Sequence, residues 1–201
     1  MKHKFKLALA TASFVAMMGI ADQAKAVDQD IEASIITRAA LAVANVVNMD
    51  FGSVEFAAVN SGTVRLGTNG TVDLVGATGL TLGADPTAAG SFDLSGDGNS
   101  MVEVRCETGG TLTDDDDGSR TLTLSAVEIA IDTGAAGGAA TPCAGLTAPA
   151  AAETIDLSVT ATPTILIGAS LDVTADPIDG SFTYSTTNTG GDPVVVRAVY
   201  Q

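Results

Sequence analysis

Apolar and polar residues alternate with a period of two along much of this chain, and that alternation narrows the possible folds more than any other feature. In MVEVRC (101–106), Val102, Val104 and Cys106 fall on one face of an extended strand, with Glu103 and Arg105 on the other. RTLTLSAVEIAI (120–131) follows the same rule, and Gly, Asn and Asp recur at short spacing between such runs. Many short alternating strands separated by turn residues indicate an all-β sandwich or barrel. The expected strands are VEF, GTVRLG, TVDLVG, LTLG, SFDLS, MVEVRC, RTLTLSAVEIAI, TIDLSVTA, TILIG, SLDVTA, SFTYST and VVVRAVY. Asn69–Gly70 marks a hairpin turn between the second and third.

The first 26 residues stand outside this pattern. Lys2, His3, Lys4 and Lys6 precede the apolar LALATASFVAMMGIA, and Ala24-Lys25-Ala26 fits a small-x-small cleavage site. We read residues 1–26 as a secretory signal peptide. Its apolar run is shorter than the ~20 residues a membrane span needs. The expected mature chain, 27–201, suits one domain with a sizeable core. It keeps five arginines against 23 acids, a net charge of −18, with no lysine and no histidine. Such a surface disfavours nucleic acid and anionic membranes, whose phosphates need clustered cations. It favours solubility in an exposed setting, and the signal peptide makes the expected location a secreted one, the periplasm in transit and then the cell surface or exterior.

Two cysteines, Cys106 and Cys143, remain after cleavage. In a secreted chain they read as one disulfide. Cys106 points inward from its strand, and Cys143 reaches it from the Gly/Ala/Pro-rich loop 133–153. Two thiols without histidine make a poor metal site.

From Ile31 to Phe51, nine of the eleven odd positions are apolar, while the even positions carry Asp30, Glu32, Ser34, Arg38, Asn48 and Asp50. A single strand of that length would run about 70 Å, far beyond the usual 5–6 residues of a globular strand. The segment therefore holds more than one element, or part of it projects from the domain. A helix over 32–47 is the competing reading, because its alanines favour one. β-branched residues on the strand face favour extended chain.

MDFGSV (49–54), SGTVRL (61–66), SFDLSGDGNSMVEV (91–104), LIGASLDV (166–173), DGSF (179–182) and VVVRAVYQ (194–201) occur in an order that suggests a family. The chain resembles a bacterial family of secreted β-sandwich proteins known mainly as a domain of unknown function. It is similar in outline to chaperone–usher pilins and spore-coat-like fimbrial subunits. The resemblance implies an immunoglobulin-like antiparallel β-sandwich over 44–201, lacking its last strand. It implies that a neighbour's N-terminal extension, here 27–43, fills the gap as a donor strand presenting Ile31, Ala33, Ile35, Leu41 and Val43. The C-terminal strand, with Val194, Val196, Ala198 and the penultimate Tyr200, would border that gap. The implied partners are further copies of the chain, a periplasmic chaperone and an outer-membrane usher. In this chain Gly180, at the family's pre-strand glycine position, lies 20 residues before Tyr200.

Other motifs point to no chemistry. TDDDDGSR (113–120) lacks the first acid and the final glutamate of a calcium loop, and DLSGDGNSMVEV (93–104) has Val104 in place of that glutamate. Serines and threonines are plentiful, but no histidine or lysine of the mature chain can activate them. We expect no enzymatic activity and no cofactor. The two function classes left are a structural subunit assembling by strand addition and a self-complete, monomeric binding module.

Overall fold

The computed structural model describes residues 39–114, 118–132, 139–147, 153–173, 184–185 and 191–201. Among these residues every regular element is a strand, and all ladders are antiparallel. The fold is an all-β sandwich. No helix among the described residues is long and apolar enough to cross a membrane. The proposed signal peptide, Ile31, Ala33, Ile35, Gly180 and Asp115–Asp117 lie outside the described residues.

Among the described residues the larger sheet has nine strands. Its axis is β10 (Thr164–Val173), paired along one edge with β7 (Thr121–Asp132). The other edge is shared. Thr164–Ile167 pairs with β4 (Gly90–Ser95), and Ala169–Val173 pairs with β2 (Val54–Leu66). Gly168 sits where these two neighbours meet end to end. A Cβ there would lie 2.6 Å from the Leu66 carbonyl oxygen, so no larger residue fits without moving backbone. β1 (Ala42–Val47) extends the sheet beyond β4, and β3 (Val72–Leu82) beyond β2. β6 (Gly110–Asp114) and β8 (Thr141–Pro142) pair with β7, and β11 (Tyr184–Ser185) pairs with β6. The smaller sheet has β5 (Met101–Cys106) at its centre, β9 (Glu153–Asp156) on one side and β12 (Val196–Tyr200) on the other.

The alternation explains the core. Phe92 and Leu94, Ile129 and Ile165 project from the large sheet onto Val102, Val104, Cys106 and Ile155 of the small one. A second cluster, built on Val64, Leu80, Leu122, Leu124, Leu171 and Val173, fills the curl of the large sheet. Cys143 touches both clusters. It is bonded to Cys106, with 5.2 Å between the Cα atoms, as the sequence led us to expect. Main-chain hydrogen bonds flank the link. The Cys143 amide donates to the Val127 carbonyl on β7, and the Gly145 amide donates to the Cys106 carbonyl on β5.

Several expected strands are fused or cut. VEF and GTVRLG form the single strand β2, TVDLVG and LTLG form β3, and TILIG and SLDV form β10. TIDLSVTA stops at Asp156. There the Asp156 carboxylate accepts from the Ser158 amide and hydroxyl, and its carbonyl accepts from Val159 and Thr160, which turns the chain. The Asn69–Gly70 turn is where the sequence put it. Gly70 takes φ +78°, and the Asn69 side chain accepts from the Thr71 amide. Residues 42–47, at the end of the segment that could have been helix, are strand.

The cross-link closes a loop between residues 37 positions apart. Chain-entropy reasoning gives it about 4 kcal/mol of stabilisation. We predict that the Cys106→Ala/Cys143→Ala double variant loses about that much in urea unfolding. A loss below about 1 kcal/mol would show that the two sheets hold together without the bond.

Candidate strand-addition edge

β12 follows Val194, which packs on the second core cluster. Val196, Ala198 and Tyr200 then face the first cluster, as their spacing requires. Their burial differs from that of the neighbouring strand. Val102, Val104 and Cys106 on β5 are sealed, at 0%, 0% and 2% exposure, whereas the three inward residues of β12 are only half-buried. The core is thus closed over β5 and thinner along β12. β12 pairs with β5 in the register Val196–Cys106 through Tyr200–Val102, and it stands at the end of the sheet formed by the described residues.

The outward side of this segment carries Val195, just before β12, and Val199 within it, both exposed, with Arg197 between them. Arg197 stands directly opposite Arg105 on β5. Like charges in that position repel. Glu103 relieves this by taking the Arg105 guanidinium in a two-pronged ion pair, 2.7 and 3.0 Å, on the same face. That bond holds the Glu103 carboxyl below its ordinary pKa and raises that of Arg105.

Tyr200 gathers three parts of the chain. Its hydroxyl donates to the Ala39 carbonyl, 2.6 Å away, and accepts from the Asp97 amide at 2.7 Å. Gly96 makes room for it, since a Cβ at that position would lie 2.4 Å from the hydroxyl oxygen and 2.9 Å from the Leu41 side chain. The chain leading into β1, the β4–β5 corner and the end of β12 therefore meet at one phenol. Asp97 shapes the corner. Its carboxylate accepts from the Asn99 amide and the Ser100 hydroxyl, and its carbonyl from the Ser100 amide.

The donor-strand residues divide. Leu41 packs against the first core cluster, and Val43 lies in β1 opposite Leu94, so both belong to this sandwich. The domain's first strand starts at Ala42, two residues before the expected boundary. Ile31, Ala33 and Ile35 are outside the described residues. Asp93, which the sequence placed in a possible calcium loop, spends both oxygens on neighbouring strands. Thr164 on β10 donates to one at 2.5 Å, and Asn45 on β1 to the other at 2.6 Å. The Thr164 bond, then the Asn45 bond, holds its carboxyl below the ordinary value. Asp93 is therefore a clamp between sheet strands. Neither this clamp nor the Ala39–Tyr200 bond could be read from the sequence, because each joins residues far apart in the chain. The DGNS composition of 97–100 does signal the turn.

A family model described as a domain of unknown function (DUF4402) matches residues 41–189. No curated protein and no solved structure matches the chain.

Two outcomes are expected at this edge. Tyr200→Phe removes both hydroxyl bonds, which should lower stability by about 1–2 kcal/mol and speed hydrogen exchange at the Asp97 amide; unchanged exchange there would contradict the role given to the phenol. Asp93 has a depressed carboxyl pKa in the folded chain, so its contribution to stability is present above its ordinary 3.8 and fades as pH falls through the lower folded value. Thr164→Val should raise the Asp93 pKa toward 3.8, which carboxyl NMR titration reads directly. An unmoved titration would show that the Thr164 bond does not control it.

Proposed function

The chain belongs to that family of domains of unknown function, and from that premise we propose that it is a secreted structural subunit of a fimbria or surface coat, assembling by β-strand addition. The observation that carries this is the uneven core. Val196, Ala198 and Tyr200 contact the main cluster yet stay half-buried, while their counterparts on β5 are sealed. An apolar strand laid beside β12 would bring its own side chains to that thin side of the core. Main-chain hydrogen bonds would supply affinity, and alternate side chains would supply fit. Residues 31–37 have the required pattern, with Ile31, Ala33, Ile35 and Thr37 on one face. The Tyr200 hydroxyl holds Ala39 at the end of β12. In this reading a neighbouring copy supplies the strand. A periplasmic chaperone and an outer-membrane usher are the assembly partners, and the protein performs no catalysis.

A self-complete monomeric binding module is the second reading. It is favoured by Leu41 and Val43, which sit in their own sandwich instead of standing free as donor residues.

The experiment uses the mature chain carrying Ile31→Asp and Ile35→Asp. Under strand addition it fails to polymerise where the parent succeeds, yet binds a peptide spanning residues 28–38 of the parent sequence. The reading falls if the variant polymerises like the parent. It also falls if the parent stays monomeric at high concentration beside its assembly partners, with residues 28–38 resistant to protease; the binding module then stands.

A further inference from the structure

Arg65, Arg105 and Arg120 each lie within ion-pair distance of an acid, namely Glu128, Glu103 and Asp114. Arg197 is exposed, and no acid lies within that distance of it among the described residues. Its cross-strand neighbour is another cation, Arg105. The acids that flank Arg105 are engaged. Glu103 holds the Arg105 guanidinium with both oxygens, and Glu107 accepts the Val195 amide. Arg197 thus presents an uncompensated positive charge on the strand that ends the small sheet, in a mature chain with five arginines against 23 acids.

The ladder also fixes which main-chain groups of β12 point away from β5. The Glu107 amide donates to the Val195 carbonyl and the Gln201 amide to the Met101 carbonyl, so the odd residues direct their main-chain groups to β5. Val196, Ala198 and Tyr200 direct theirs to the other edge. An antiparallel strand added there would hydrogen-bond at those three residues. Arg197 would fall in a non-hydrogen-bonded pair, where opposed side chains approach most closely.

Resting on strand addition at β12, we propose that Arg197 is the specificity-determining residue of that edge: it pairs with Glu32 of a neighbouring copy and so holds the incoming strand in one antiparallel register. Charge complementarity selects the partner. When Ile31, Ala33 and Ile35 face the core, the even positions share the outward face with Arg197, and they carry Asp28, Asp30, Glu32 and Arg38. Arg38 opposite Arg197 is repelled. The core then chooses among the acids. With Glu32 opposite Arg197, Ile31 falls opposite Ala198, Ala33 opposite Val196 and Ile35 opposite Val194, all apolar on apolar. Gln29 meets Tyr200, whose hydroxyl already lies among polar main-chain groups. With Asp30 opposite Arg197, Gln29 falls on Ala198, and with Asp28 it falls on Val196. Either slip lays an amide side chain on the apolar row that borders the core. An antiparallel direction continues the pairing of every ladder among the described residues and is the more stable of the two.

The test uses the full mature chain carrying Ile31→Asp/Ile35→Asp, with or without Arg197→Glu, and peptides spanning residues 28–38. Binding is measured by calorimetry in salt of about 0.1 M, where the screening length is about 10 Å and a contact pair is still felt. The peptides are the parent sequence, one carrying Glu32→Arg and one carrying Asp30→Arg. The two variant peptides have the same net charge, so the ratio of their affinities reads position and not overall attraction to an acidic protein. With Arg197 present, the Glu32→Arg peptide should bind about fivefold or more weaker than the Asp30→Arg peptide. With Arg197→Glu, that order should reverse. A ratio that is the same for both chains overturns the role of Arg197 while leaving strand addition in place. A reversal in which Asp30→Arg becomes the preferred peptide of the Arg197→Glu chain overturns the Glu32 register. If the parent peptide binds neither chain, strand addition at β12 falls, and the Arg197 pairing falls with it.

Discussion

The two sheets are held to one another by residues 143–145, which bond to both. The Cys106–Cys143 bond joins the small sheet to a segment held against the large one, and the Cys143 and Gly145 amides extend that junction by one hydrogen bond to each sheet. The two sheets share few aromatic side chains, and the chain has no tryptophan. Their shared interior is built from valine, leucine and isoleucine, which bury well but contribute less area each than large aromatics. A covalent link at Cys143, the residue touching both core clusters, fixes the spacing that lets those small side chains interlock.

With the sheets fixed there, their two ends differ. At β9 and β5 the inward side chains are sealed. Along β12 they are half-buried, and at β1 the whole strand is exposed. Tyr200 ties these ends together, since its hydroxyl bonds both the chain leading into β1 and the corner leading into β5. A strand docking beside β12 would press on side chains that share a core cluster with Leu41, so assembly and the placing of the first strand are physically linked.

Much of the fold was legible because alternation reports burial directly. β4, β5 and β7 show their inward faces in sequence and bury the residues that the period selects. Other elements were not legible, for identifiable reasons. Strands expected as separate are continuous because glycine lets a ladder shift register without ending: Gly62 at φ +143° within β2, and Gly76 at φ +59° within β3. GTLTD passes as loop because it is short and runs into aspartates, yet it is β6, with Thr113 and Asp114 buried. TIDLSVTA looks like eight residues of strand, but the Asp156 cap ends it after three. The edge itself was half legible. The face shared by Val194, Val196, Ala198 and Tyr200 follows from spacing alone, whereas its incomplete burial and the three-way junction at Tyr200 arise from tertiary contacts that no local pattern encodes.

Under strand addition, the strand laid beside β12 comes from another copy. Mixed-label solid-state NMR tests it most directly, using assemblies grown from equal parts of ¹⁵N-labelled and ¹³C-labelled mature chain. Through-space contacts are expected between residues 31–37 of one chain and Val196–Tyr200 of the other, seen only between differently labelled copies. Contacts confined within single chains, or none between these two segments, would contradict it.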